Sequence, residues 1–137
     1  MILDVEQAMK EYFENNIIEI VGNGNYVISV YAGTIPDDSE SECLQVELDT
    51  PGASQHRNLF LVRMRITTRA RSKQDGFILF QNMDLLIDRR AEQVLTDTIE
   101  MCTCLRISGP DHFISPSDDE ERHYQTGLYD IQFRKYA

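Results

Sequence analysis

The sequence predicts a single α+β domain, one mostly antiparallel β-sheet with two amphipathic helices packed on one face. Three observations carry this. Apolar residues recur at helical spacing in the first fourteen positions and again beyond position 76, and several segments between and after them alternate apolar with polar residues. A sheet of half-buried strands must cover one face, and two amphipathic helices are what the chain offers to cover it. The 137 residues, 42% hydrophobic, suit one domain spanning residues 1–137. A chain of this size buries about two thirds of its unfolded surface. No internal repeat, low-complexity tract or linker interrupts it.

The expected order is α-β-β-β-β-α-β-β. Ile2, Val5, Met9, Tyr12 and Phe13 share one helical face opposite Glu6, Lys10, Glu11 and Glu14, predicting a helix over about 3–14. Asp4 suits its first turn, and Asn15-Asn16 is the expected stop. IIEIV (17–21) and YVISVYA (26–32) flank Gly22-Asn23-Gly24-Asn25, a turn signal, and predict a hairpin. After a polar loop (33–42), Leu44, Val46 and Leu48 alternate with Gln45, Glu47 and Asp49 as a third strand. TPGASQHRN (50–58) reads as a connection to the fourth strand. Phe80, Met83, Ile87, Ala91, Val94 and Leu95 then follow a period of three and four, predicting a second helix over about 77–96. MCTCLRI (101–107) and YQTGLYDIQFRKY (124–136) are the closing strands, with a long polar loop (108–123) between them.

The fourth strand, LFLVRMRITTRAR (59–71), has two unlike faces. Phe60, Val62, Met64 and Ile66 lie on one side; Arg63, Arg65, Arg69 and Arg71 lie on the other. Elsewhere the chain is acidic, with 13 Lys and Arg against 23 Asp and Glu and a formal net charge of −10. The arginine row therefore has two readings. Within the sheet it pairs with the acidic face of the third strand, each ion pair contributing a few tenths of a kcal/mol. Between molecules it meets an acidic protein surface, which makes self-assembly a candidate function.

The same charge argues against general affinity for nucleic acid, which draws its energy from neutralising phosphates. The start, MILDVEQAMKEY, has acids where a signal peptide has a basic flank and an apolar run, and no apolar stretch approaches the roughly 20 residues of a membrane span. A soluble, intracellular protein is expected. Cys43, Cys102 and Cys104 are an odd number and fit reduced thiols; Cys102 and Cys104 would share one side of a strand. His56, His112 and His123 lack metal-ligand spacing, so neither a metal nor another cofactor is expected. Asp118, Asp119, Glu120 and Glu121 read as a solvated loop, a weak cation site or a docking surface for basic residues. The chain has no phosphate loop, no nucleophile elbow and no His-Glu-x-x-His, so catalysis is not expected.

In segment order the chain resembles the tail terminator proteins of long-tailed bacteriophages, also called tail-completion or, in older usage, minor capsid proteins. The resemblance rests on a helix of about 14 residues, a hairpin, an alternating strand ending in RARSKQD before a second helix, and a closing strand pair bridged by GPDHFISPSDDEERHYQTGLYDIQFRKY. It covers most of the chain. It implies a structural virion protein, assembled in the host cytoplasm and located in the tail or neck. Such a protein forms a ring, commonly six-fold, at the head-proximal end of the tail tube, stops tube polymerisation and docks to the head-side connector. The implied partners are further copies of the chain, the tail tube protein and the connector or stopper, with DNA passing through the lumen without specific binding. Cyclic rings need two different patches per subunit. The expected pair is Arg63, Arg65, Arg69 and Arg71 against Asp37, Asp38, Glu40 and Glu42 or Asp118, Asp119, Glu120 and Glu121. Another neck component, such as a stopper or head-completion protein, and a host-type binding module with no virion role are the alternatives.

Overall fold

The computed structural model describes residues 2–22, 27–36, 42–56, 58–115 and 121–136. The elements are α1 (Ile2–Asn15), α2 (Ile17–Val21), β1 (Ser29–Ala32), β2 (Cys43–His56), β3 (Leu59–Ala70), α3 (Lys73–Ile87), β4 (Ala91–Val94), β5 (Ile99–Ile114) and β6 (His123–Lys135). The six strands form one sheet in the order β1-β2-β3-β6-β5-β4. Every pairing is antiparallel except β1 with β2, which is parallel. The fold is thus α+β with helices over one face of a mixed, mostly antiparallel sheet.

α1 forms where the sequence placed it. Val5, Ala8, Met9 and Phe13 are buried at helical spacing, Lys10 pairs with Glu14 one turn on at 3.1 Å, and Asn16 Nδ2 donates to the Tyr12 carbonyl at 2.8 Å as the helix ends. The segment 17–21 corrects the expected hairpin: it is a helical turn. Four β-branched residues out of five favour a strand locally, but helical geometry turns Ile17, Ile20 and Val21 together onto the core. Asn82 Nδ2 of α3 donates to the Ile20 carbonyl at 2.9 Å, and the Gly22 N–H donates to the Ile18 carbonyl at 2.9 Å, satisfying carbonyls the short helix leaves open. β1 therefore has no partner from this segment and pairs along β2, Ser29 to Cys43 through Ala32 to Val46.

The connection expected at 50–58 is mostly strand. β2 continues to His56 and meets β3 through a tight turn in which Asn58 has φ 68°. Its register with β3 shifts at Leu48/Thr50, Thr50/Ala53 and Ser54/His56. The shift at Thr50/Ala53 spans Pro51 and Gly52, residues that a regular ladder tolerates poorly.

The second long helix begins earlier and ends earlier than its periodicity suggested. Ser72 caps α3 by accepting the Asp75 N–H at 3.1 Å, with Asp75 in the first turn where a carboxylate favours the helix dipole. Leu79, Phe80, Met83 and Ile87 line its buried face. Beyond Ile87 the backbone departs from helix: Asp88 Oδ1 accepts the Arg106 N–H at 2.8 Å, and Arg89 and Glu92 have φ of 59° and 57°. Residues 91–94 are an edge strand, which makes the helical spacing of Ala91, Val94 and Leu95 a coincidence.

Within the predicted loop at 108–123, residues 108–114 are strand, since β5 runs to Ile114 and pairs with β6 as far as Ile114 to His123. A register shift at Met101/Thr103 separates the two nearby cysteines. Cys104 joins the core, whereas Cys102 lies beside Glu100, its thiol 3.6 Å from Oε1. They do not share one side as regular alternation predicts.

The core lies between the helices and the sheet, built on Val62, Met64 and Ile66 of β3 and Tyr129, Ile131 and Phe133 of β6. Gly127 of β6 lets the Phe80 ring rest on the sheet, because a Cβ there would meet Phe80 at 2.7 Å. Thr68 Oγ1 donates to the Gly76 carbonyl at 2.8 Å and ties β3 to α3. Among the described residues no helix is long and apolar enough to cross a membrane.

Candidate assembly surface

The sheet face away from the helices carries the arginine row. Strand register arranges it in cross-strand rows: Cys43, Arg69, Tyr124 and Phe113; then Gln45, Thr67, Thr126 and Asp111; then Glu47, Arg65 and Leu128; then Arg63, Asp130 and Leu105. The alternation that buries Val62, Met64 and Ile66 presents Arg63 and Arg65 on this opposite face.

The four arginines have four different environments. Arg63 grips Asp130 with a fork, Nε to Oδ1 at 3.0 Å and Nη2 to Oδ2 at 3.3 Å, and this hydrogen-bonded carboxylate raises the guanidinium pKa. Arg65 Nη2 lies 3.0 Å from Asp49 Oδ1, a cross-strand pair of the kind expected between the third and fourth strands. Both side chains stay substantially open to solvent. Arg69 is buried, as are Thr67 and Thr126, whose hydroxyls are 2.9 Å apart. Arg71 is exposed, just past the end of β3. The arrangement brings Arg63 and Arg65 together on an open face and withdraws Arg69 from it.

Of the acidic counterparts, Asp37, Asp38, Glu40, Asp118, Asp119 and Glu120 lie outside the described residues. Glu42 directly precedes β2 beside Cys43. Burial pushes the Cys43 thiol up to about 11, against the opposing pull of Arg69 and Arg122, and Glu42 adds to the rise. The Glu121 carboxylate is 3.6 Å from His123 Nε2.

Sequence reasoning missed Asp130 as the partner of Arg63. Its signal was the alternation in YDIQF, which sets Asp130 opposite Tyr129 and Ile131, but the pairing of β3 with β6 is not a local property. It also missed two stacked cross-strand pairs near the end of the β5–β6 hairpin. The rings of Phe113 and Tyr124 stack at 4.7 Å, and those of His112 and His123 at 5.1 Å, with His112 Nε2 and His123 Nδ1 2.9 Å apart. Desolvation, then Lys73 and His123, lower the His112 pKa. The two imidazole nitrogens face each other in a hydrogen bond and do not converge on a common point, and no group of three metal-ligating side chains occurs among the described residues.

No family model matches this sequence, and no curated protein matches it. The fold does have a solved counterpart. The chain is similar to one described as "Virion of native gene transfer agent (GTA) particle", with a TM-score of 0.57 over 95% of this chain and 97% of that one, at 9% sequence identity. At that identity the two share a fold.

Proposed function

We propose that this chain is a structural virion protein that forms a ring at the head-proximal end of a phage tail tube, stops tube polymerisation and docks to the head-side connector. The observation that carries the reading is the correspondence of fold, over nearly the full length of both chains, with a protein of a gene transfer agent virion. The tail terminator resemblance of the segment order points the same way. Six copies is the expected ring size.

The physical properties of the chain support it. A ring subunit needs two unlike surfaces that meet its neighbours, and a third that meets the tube. The open sheet face with Arg63 and Arg65 is the candidate for contact with acidic residues of a neighbour or of the tube. Arg71 extends this basic area at the sheet's end. The net charge of −10 suits a lumen through which DNA slides, because carboxylates repel phosphate where a basic wall would hold it.

The reading is tested by locating the protein in purified particles with an antibody label. Label at the junction of head and tail supports the neck position; a protein absent from particles overturns it in favour of a binding module with no virion role. A stopper or head-completion protein would share the position, and tail length in the absence of the protein separates the two.

A further inference from the structure

We propose that His112 and His123 form a pH-sensitive latch that fastens the end of the β5–β6 hairpin beside the first turn of α3, and that the latch opens when both imidazoles are protonated. His112 stands opposite Gln125 and His123 opposite Ile114, so the two imidazoles are diagonal cross-strand neighbours on one sheet face. Their rings stack at 5.1 Å, and His112 Nε2 lies 2.9 Å from His123 Nδ1. This is the helix face of the sheet, because Thr68 is in register with Gln125 and Ala70 with His123, continuing the alternation of Val62, Met64 and Ile66. The start of α3 rests against it: a Cβ on Gly76 would lie 3.5 Å from the His123 carbonyl oxygen and 3.6 Å from Gln125 Cγ.

A hydrogen bond between two imidazoles needs a proton on one facing nitrogen and a lone pair on the other. The neutral pair meets this condition. One added proton, taken at the outer nitrogen of the donor ring, leaves the bond in place between an imidazolium and an imidazole. A second puts N–H groups on both facing nitrogens, and two cations 2.9 Å apart with no acceptor between them must separate.

The surroundings set the direction of the switch. Lys73, in the first turn of α3, repels a charge on His112, and the amino end of that helix disfavours a cation in the same way. Glu121 opposes them, 3.6 Å from His123 Nε2 and acting on His112 as well. On β3 the facing residues, Thr68 and Ala70, are uncharged. Asp111 alternates to the other face with Thr126, and Arg122 acts on Cys43 there. Desolvation, then Lys73 and His123, hold the His112 pKa below its ordinary value of about 6.5. The opened hairpin, in which His112 returns toward that value, therefore binds more protons than the closed one. The preference for the closed form is complete above about pH 6.5 and is lost as pH falls through the lowered value.

The latch also governs the opposite side of the sheet. Phe113 and Tyr124, adjacent to His112 and His123 along their strands, stack at 4.7 Å on the open face, in register with Arg69. Opening the hairpin end parts both stacked pairs together.

Hydrogen–deuterium exchange of the full chain, corrected for the intrinsic pH dependence of exchange, tests this. Protection of residues 108–114 and 123–126 should fall by about tenfold between about pH 7 and pH 5, while residues 60–70 keep theirs. His112→Gln, confirmed as folded by its melting curve, should flatten that fall, and Lys73→Gln should move its midpoint to higher pH. Hairpin protection that does not change with pH, or a fall shared equally by residues 60–70, overturns the latch. So does an undiminished fall in His112→Gln or an unmoved midpoint in Lys73→Gln.

Discussion

Tyr129 shows how single residues fix this fold. Its ring is fully buried in the core, its hydroxyl donates to Asp84 Oδ1 at 2.6 Å, and Arg106 Nη1 lies 3.1 Å from the other oxygen, linking β6, α3 and β5. Burial, followed by the hydrogen bond with Asp84, raises the Tyr129 pKa well above its ordinary value of about 10. The unfolded chain releases that proton near pH 10 while the folded chain keeps it. The contribution to stability is therefore complete below about pH 10 and is lost as pH rises further. The Cys43 thiol at about 11, and that of Cys104, also raised by burial, extend the loss down to about pH 9. Denaturant unfolding from pH 7 to 11 should show this decline. Tyr129→Phe should cost about 1–2 kcal/mol at pH 7 and flatten the upper part of the decline; an unchanged alkaline slope would refute the assignment. Arg63 and Arg65 make the opposite case. Their in-sheet pairs are exposed and contribute within about 1 kcal/mol each, so Arg63→Glu with Arg65→Glu should lower the melting temperature only slightly while abolishing assembly. Rings that survive the double reversal would dispose of that role for the arginines.

At the scale of elements, α2 is the clearest test of the architecture. A strand over 17–21 would send Ile18 and Ile20 to the same side, whereas the helical turn buries Ile20 and exposes Ile18. Ile20→Ala should destabilise by about 2–4 kcal/mol and Ile18→Ala by no more than about 0.5 kcal/mol, measured by urea unfolding; equal costs would favour the strand. The error had a physical origin. Five residues, four of them β-branched, are too few to show a helical period, and what decides their conformation is α3, whose Asn82 bonds the Ile20 carbonyl from 62 residues away. α1 and β3 were legible because their alternation is long and each has one uniform apolar face. α3 was legible in its middle, but its end depends on Asp88 meeting Arg106 across the fold. Of the surface, the basic side of β3 was readable in advance. The partner of Arg63 was not, because it lies 67 residues further on in a strand that pairs only in the folded sheet.

At the scale of the whole molecule, the sheet divides the protein into functions. One face carries the helices and the core. The other presents Arg63 and Arg65. In the proposed ring, each subunit would repeat around an axis and offer this open face to a neighbour or to the tube. In the proposed ring, the excess negative charge would repel DNA that moves through the lumen. The most direct measurement of this account is electron microscopy of the lysate from a phage or prophage whose copy of the gene has been disabled. The account predicts overlong tails lacking heads, because nothing stops tube growth. Tails of normal length beside unjoined heads would contradict it and assign the protein to joining head and tail without control of length.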